Sequence, residues 1–134
     1  MSARILVVDD LEANRRLLQA KLTADYYEVL LAQRGEEAVQ MARREKPDLI
    51  LLDVMMPGGI DGYEACRRLK AQPETRHIPV MILTTLDDRD NKVRGLQAGA
   101  EEFLTKPIDD VQLMARVKSL LSLKVVIDEL RARE

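Results

Sequence analysis

Five short apolar runs punctuate this chain: Ile5-Leu6-Val7-Val8, Val29-Leu30-Leu31-Ala32, Leu49-Ile50-Leu51-Leu52, Val80-Met81-Ile82-Leu83 and the weaker Glu102-Phe103-Leu104-Thr105. Each is too short for a helix. The first four are too uniformly apolar for a strand with one wet face. Strands buried on both faces read this way, and they belong to parallel sheets covered by helices. Helical patterns fill the intervals. Leu11, Leu18 and Leu22 recur every turn or two, and Ala38, Met41, Ala42 and Glu45 follow Gly35. Tyr63, Cys66 and Leu69 come next, then Val93, Leu96 and Ala100, and a last helix is predicted from about Asp109 to Arg133. Five βα units predict an α/β fold, a three-layer, doubly wound parallel sheet. Right-handed crossovers leave few topologies. For five strands the commonest is the flavodoxin-like order 2-1-3-4-5. Pro57-Gly58-Gly59, Gln72-Pro73 and His77-Ile78-Pro79 mark loops.

Composition narrows the function. The 134 residues fit one domain, and 46% of them are hydrophobic, enough for a core. With no Trp and one Phe, that core must be aliphatic. Net charge is −2, with acids and bases interspersed, which argues against nucleic acid as a partner. Cys66 is the only cysteine, so no internal disulfide can form and a reducing compartment is expected. No apolar run approaches the ~18 residues of a membrane span. The run before Asp9 is too short for a secretion signal. These features predict a soluble cytoplasmic domain that binds neither membrane nor nucleic acid.

Asp53 sits badly in its surroundings, at the end of Leu49 to Leu52 and followed by Val54, Met55 and Met56. The topology gives it a role. Ligands in such folds bind beyond the carboxyl ends of the strands where the strand order reverses, here between strands 1 and 3. Strand 1 ends in Asp9-Asp10 and strand 3 in Asp53, so three carboxylates meet in one crevice. Thr84-Thr85 ends strand 4, and Thr105-Lys106-Pro107 ends strand 5, on the same edge. Each residue alone has a plainer reading: Asp9 or Asp10 as a helix cap, Thr84 as a strand residue, Lys106 as a solvated lysine. Asp53 resists the cap reading, because Pro57 and two glycines part it from the next helix.

Three carboxylates ~5 Å apart repel by roughly 3 kcal/mol per pair at an effective dielectric near 20. Three such pairs consume much of a typical stability of about 5–15 kcal/mol, so a cation is expected. Lys106 supplies one charge. An oxygen-only site without His or Cys suits Mg²⁺. A divalent metal, a lysine, a hydroxyl and a carboxylate are the parts of a phosphoryl-transfer site, with the carboxylate as nucleophile. Asp53 would then be the phosphoacceptor.

These residues resemble the receiver domain of two-component response regulators along essentially the whole chain. The resemblance rests on Val7-Val8-Asp9-Asp10, Leu51-Leu52-Asp53-Val54-Met55-Met56-Pro57-Gly58, Asp61-Gly62-Tyr63-Glu64, Ile82-Leu83-Thr84-Thr85, Gly99-Ala100 and Phe103-Leu104-Thr105-Lys106-Pro107. It implies Asp53 as phosphoacceptor, with Asp9, Asp10, Asp53 and the Met55 carbonyl holding Mg²⁺ and with Mn²⁺ or Ca²⁺ as substitutes. It implies Thr84 as the switch hydroxyl, Phe103 as the switch aromatic, Lys106 as the phosphoryl-binding cation and a cis bond before Pro107. A histidine kinase or histidine phosphotransfer protein would be the donor. The ends of the chain resemble the first receiver of PleD-type diguanylate cyclases. Such a chain is not an enzyme in its own right but controls an attached output, here a diguanylate cyclase, and forms a homodimer on phosphorylation. The alternative is a stand-alone adaptor or phosphorelay intermediate. Two departures stand out. The loop Gly58-Gly59-Ile60-Asp61-Gly62 is one residue longer than usual, and Thr85 replaces the usual small residue.

Rival phosphate chemistries fit less well. A haloacid-dehalogenase-type phosphohydrolase needs a second Asp two residues after the nucleophile, where this chain has Met55. A flavodoxin-like FMN carrier would meet repulsion from Asp9-Asp10, and aromatic residues to sandwich a flavin are scarce. Met55 and Leu86, two residues after Asp53 and Thr84, cannot orient a water through their side chains, so a long-lived phosphorylated state is expected. Asp87, Asp88 and Asp90 are expected to cap or start helix 4, Asp61-Gly62 to form a turn, His77 to be a surface residue and Leu17 with Leu18 to be core. Leu113, Leu120, Leu123, Ile127 and Leu130 keep a heptad-like seam past the reach of the sheet. At ~25 residues this helix is roughly 37 Å long. Residues 1–122 are therefore read as the receiver and 123–134 as a helical extension linking to an output domain.

Overall fold

The computed structural model describes residues 2–85 and 89–133. Five strands alternate with five helices in chain order: β1 Arg4–Val8, α1 Glu12–Ala24, β2 Glu28–Ala32, α2 Gly35–Glu45, β3 Leu49–Asp53, α3 Gly62–Ala71, β4 Val80–Thr84, α4 Arg89–Gln97, β5 Glu102–Thr105 and α5 Asp110–Arg131. The strands form one parallel sheet in the order β2-β1-β3-β4-β5, as predicted. β3 lies at its centre, with Ile5 opposite Leu49 on one side and Ile50 opposite Val80 on the other.

Alternation along the strands builds two cores. Leu6, Val8, Ile50, Leu52 and Ile82 face α2, α3 and the turn after α4, meeting Ala38, Tyr63, Cys66 and Ala98. Ile5, Val7, Leu49, Leu51 and Met81 face α1 and α5, meeting Leu18, Leu22, Leu113 and Val117. The period of two that puts neighbours on opposite faces explains why the runs are apolar throughout. Cys66 is fully buried, its Sγ 3.4 Å from the Ala98 carbonyl oxygen. Burial pushes its thiol up to about 12, so it stays protonated and unreactive at neutral pH.

Four expectations change. Leu17 is exposed, and Leu18 alone of that pair enters the core. The helix bearing them begins at Glu12, and the Leu11 residue that precedes it makes no side-chain cap bond. Asp61 is the cap of α3 rather than part of a free turn, because its Oδ1 accepts the Glu64 N–H at 2.8 Å. His77 is half-buried, and its Nδ1 has no hydrogen-bond partner among the described residues. Burial, reinforced by Arg131 and Lys124, holds this imidazole below its usual range. The last helix runs for 22 residues, about 33 Å, because Asp109 caps it by accepting the Val111 and Gln112 N–H groups. Leu113 and Leu120 on its seam are buried, whereas Leu123 and Leu130 are exposed. Asp90 lies in the first turn of α4. Leu86, Asp87 and Asp88 fall outside the described residues.

No helix among the described residues is long and apolar enough to cross a membrane.

Candidate functional site

The sheet order puts β1 and β3 side by side, and their carboxyl ends carry the acids. Asp9 follows β1, and Asp53 is the last residue of β3. One carboxylate oxygen from each of Asp9, Asp10 and Asp53 lies within 4.8 Å of the others. Asp9 is 1% exposed and Asp53 5%, so both acids have left bulk water; Asp10 is half-buried.

Each acid is held in a particular way. The Leu11 N–H donates to Asp9 Oδ1 at 2.9 Å, which leaves Oδ2 turned toward Lys106. Lys106 Nζ lies 3.5 Å from Asp9 Oδ2 and 3.4 Å from Asp53 Oδ1, bridging the two acids. Lys106 is placed by its own backbone: its N–H donates to the Thr84 carbonyl at 2.8 Å, and the following bond to Pro107 is cis. Thr84 is fully buried at the end of β4 and pairs in register with Thr105.

Burial raises the Asp53 carboxyl above its ordinary value of 3.8. Lys106 and the Met55 backbone N–H oppose that rise, and Asp9 adds to it. One ammonium cannot neutralise three carboxylates. An all-oxygen cluster with surplus negative charge and an exposed outer edge suits a hard divalent cation that keeps some of its waters.

The loop leaving β3 is closed tightly. The Gly62 N–H donates to the Val54 carbonyl at 3.0 Å. A Cβ on Gly62 would lie 2.2 Å from the Asp53 carbonyl oxygen, so this approach requires glycine. Met55 faces outward, 59% exposed. Thr85 is exposed. Phe103 is half-buried, its ring packed against Gly95, where a Cβ would be 2.0 Å from the ring Cε2. Beside Asp9 and Lys106 opens a cavity of about 270 Å³, lined also by Leu17, Leu18, Lys21 and Ile108.

Sequence reasoning overlooked several contributors. Arg15 is buried and donates to the Asp9 carbonyl at 2.8 Å, steadying the end of β1. Its signal was an arginine in register with Leu18 and Leu22 on the apolar stripe of α1. Tyr63 is buried, its hydroxyl donating to the Asn91 carbonyl at 3.2 Å, and Arg94 lies 4.5 Å from its ring centroid. The Glu36 carboxylate accepts the Ile60 N–H at 2.8 Å across 24 residues, a contact with no trace in local pattern.

Comparison with known proteins places this geometry in context. Residues 5–118 match the family model of the response regulator receiver domain. The chain is 65% identical over 134 residues to Response regulator PleD of Caulobacter vibrioides, an alignment covering 100% of this chain and 29% of that protein. It is 42% identical over 120 residues to Protein PilH of Pseudomonas aeruginosa, covering 90% of this chain and 98% of that protein. The solved receiver domain of a sensor histidine kinase from Pseudomonas aeruginosa has a magnesium ion coordinated in its active site cleft. That domain matches with a TM-score of 0.84 at 32% identity, covering 91% of this chain and 99% of that one. The chain thus spans less than a third of the length of PleD.

Proposed function

The chain belongs to the response regulator receiver family, and on that premise we propose that Asp53 accepts a phosphoryl group from a histidine kinase or histidine phosphotransfer protein. The observation that carries this reading is the meeting of Asp9, Asp10 and Asp53 within 4.8 Å, bridged by Lys106. An Asp53 carboxylate oxygen attacks phosphorus as the bond to the donor imidazole nitrogen breaks, and the imidazole leaves with that electron pair. Lys106 meets the phosphoryl oxygens and offsets their charge. Asp9, Asp10, Asp53 and the Met55 carbonyl would hold a divalent cation, Mg²⁺ or in its place Mn²⁺ or Ca²⁺, which would supply the remaining neutralisation. The cavity lined by Leu17, Leu18 and Ile108 gives the donor an apolar footing beside the nucleophile.

The signal then leaves through β4 and β5. Thr84 moves to donate its hydroxyl to the new phosphoryl group, a charge-assisted bond typically worth ~1.5–3 kcal/mol. Phe103 turns further inward to fill the space. The output we propose is an attached diguanylate cyclase, reached through residues 123–134 of α5, with a homodimer formed on phosphorylation. Exposed Leu123, Val126 and Leu130 on that segment support a contact there. The full-length protein should make cyclic diguanylate when activated with beryllium fluoride. Synthesis in neither state would favour the stand-alone adaptor, which the near-complete match to PilH supports.

Metal is expected to stabilise the domain. For a site with Kd about 1 mM, 10 mM Mg²⁺ adds about 1.4 kcal/mol by mass action. That corresponds to a rise in Tm of ~5 °C for a chain of this size. The pH dependence follows from Asp53. Its folded carboxyl titrates above the unfolded one, so the metal-free fold gains from its neutral form at low pH and loses that gain as pH rises through the raised value. The proton competes with the metal, so the Mg²⁺ shift should be largest near neutral pH and shrink as pH falls toward the ordinary carboxylate range. Melts in EDTA and in Mg²⁺ test this, with Asp10→Ala losing most of the shift. Identical melts in the two buffers at neutral pH would rule the cation site out.

A further inference from the structure

We propose that Glu36 is a positioning residue that latches the loop after β3 and so fixes the metal-binding edge of the phosphoacceptor site. The inference rests on the reading of Asp9, Asp10, Asp53 and the Met55 carbonyl as a divalent-cation site. Residues 55–61 leave the sheet beside Asp53 and return at Gly62, whose N–H closes the loop onto the Val54 carbonyl at 3.0 Å. Asp61 secures the far end by capping α3. Between those ends, the loop carries two adjacent glycines, Gly58 at φ +89° and Gly59, which leave its middle loosely determined by its own sequence.

What holds that middle is α2. The Ile60 N–H donates to Glu36 Oε1 at 2.8 Å. The Met55 N–H is held at the strand end by the Asp53 carboxylate, and the Glu36 bond ties the loop's middle to a helix. The fit is made on both sides by missing side chains. A Cβ on Gly59 would lie 2.7 Å from Glu36 Oε2 and 2.8 Å from Oε1, so the carboxylate is seated against bare backbone. A Cβ on Gly35 would lie 2.6 Å from Ile60 Cγ1, so the Ile60 side chain rests on the first turn of α2 and against the core. The Ile60 N–H first, and then Glu36's own N–H in the first turn of the helix, hold this carboxyl below its usual range. The latch is therefore an ionised acceptor at neutral pH, and such bonds are the stronger kind.

Glu36 ties down the Gly58-Gly59 stretch, so the Met55 carbonyl, five residues before Ile60, keeps its place. Outer partners that orient metal ligands commonly change metal affinity by about 10–100-fold when removed. Glu36 acts through several residues, so the lower end, about tenfold, is expected.

The experiment is a Mg²⁺ titration of the isotope-labelled chain by NMR, with exchange of the Ile60 amide measured in parallel. Glu36→Ala should bind Mg²⁺ about tenfold more weakly and lose protection at Ile60. Glu36→Gln, which keeps an oxygen acceptor, should recover most of both. Gly59→Ala should mimic Glu36→Ala by displacing the carboxylate, and it serves if Glu36→Ala does not fold. Glu37→Ala removes the same charge from the same turn and should bind Mg²⁺ as the wild type does. Wild-type affinity in Glu36→Ala, or an equal loss in Glu37→Ala, overturns the latch while leaving the cation site standing. A wild-type chain that binds no Mg²⁺ at millimolar concentration overturns the cation site and the latch with it.

Discussion

Asp53→Asn is expected to take up no phosphoryl group from acetyl phosphate in Mg²⁺, under conditions where the wild-type chain is fully modified. Asn keeps the shape of the side chain and loses the nucleophile. The neighbouring acids cannot replace it. Asp9 is buried, with Oδ1 committed to the Leu11 N–H and Oδ2 beside Lys106. Asp10 leaves the strand at the rim and is only half-buried. The variant should fold, because the change removes a cost. The wild-type carboxyl is raised mainly by burial, so its ionised form weakens the metal-free fold at neutral pH. In EDTA the variant should therefore melt at or above the wild-type temperature, and its Mg²⁺ shift should be reduced. Intact-mass measurement after acetyl phosphate treatment decides the matter. Labelling of the variant at the wild-type level would remove Asp53 from its role.

The sheet was legible because burial on both faces leaves little freedom. A strand such as Leu49–Asp53 must be apolar at every position but the one that serves the crevice, so Asp53 stood out. The three acids and Lys106 were legible for a related reason: topology alone brings the ends of β1, β3 and β5 to one edge. Residues whose roles depend on distance in space were hidden. Glu36 reads as an ordinary acid in the first turn of an amphipathic helix, and its partner is a backbone N–H on another element. Leu17 and Leu18 are both apolar and adjacent, and only the rotation of α1 against the sheet decides which is covered. Asp61-Gly62 carries the same signal for a turn and for a helix start, because both begin with a carboxylate accepting a nearby N–H. Arg15 was hidden by chemistry: a buried arginine makes sense only once the Asp9 carbonyl is known to receive it.

Gly62→Ala should cost about 2–3 kcal/mol, despite lying in a helix where that exchange is normally favourable. Ala is the better helix former by roughly 0.8–1 kcal/mol. Gly62 does not use the left-handed region, so the backbone conformation itself raises no objection. Steric contact opposes the gain. A Cβ at this position would meet the Asp53 carbonyl oxygen at 2.2 Å, the Val54 Cα at 2.8 Å and the Asp53 carbonyl carbon at 2.9 Å. All three are backbone atoms, and no rotamer can move them aside. Nor can the strand retreat, since β3 is bonded to β1 on one side and β4 on the other. Overpacking of this kind typically costs 1–3 kcal/mol and sometimes more. With three contacts to fixed backbone the steric term lies above that range, at about 3–4 kcal/mol, so subtracting a propensity gain of about 1 kcal/mol leaves about 2–3 kcal/mol. With ~4 °C per kcal/mol for a chain of this size, Tm should fall by about 8–12 °C. Gly58→Ala is the contrast. Gly58 has φ +89° and nothing within 4 Å of a Cβ, so it loses only the left-handed preference, about 1–2 kcal/mol. Because the displaced atoms belong to Asp53 and Val54, Gly62→Ala should also slow phosphorylation from acetyl phosphate in protein that remains folded, whereas Gly58→Ala should not. A Gly62→Ala chain that melts within 2 °C of the wild type and is phosphorylated at its rate would mean that β3 and α3 do not pack this closely at the site.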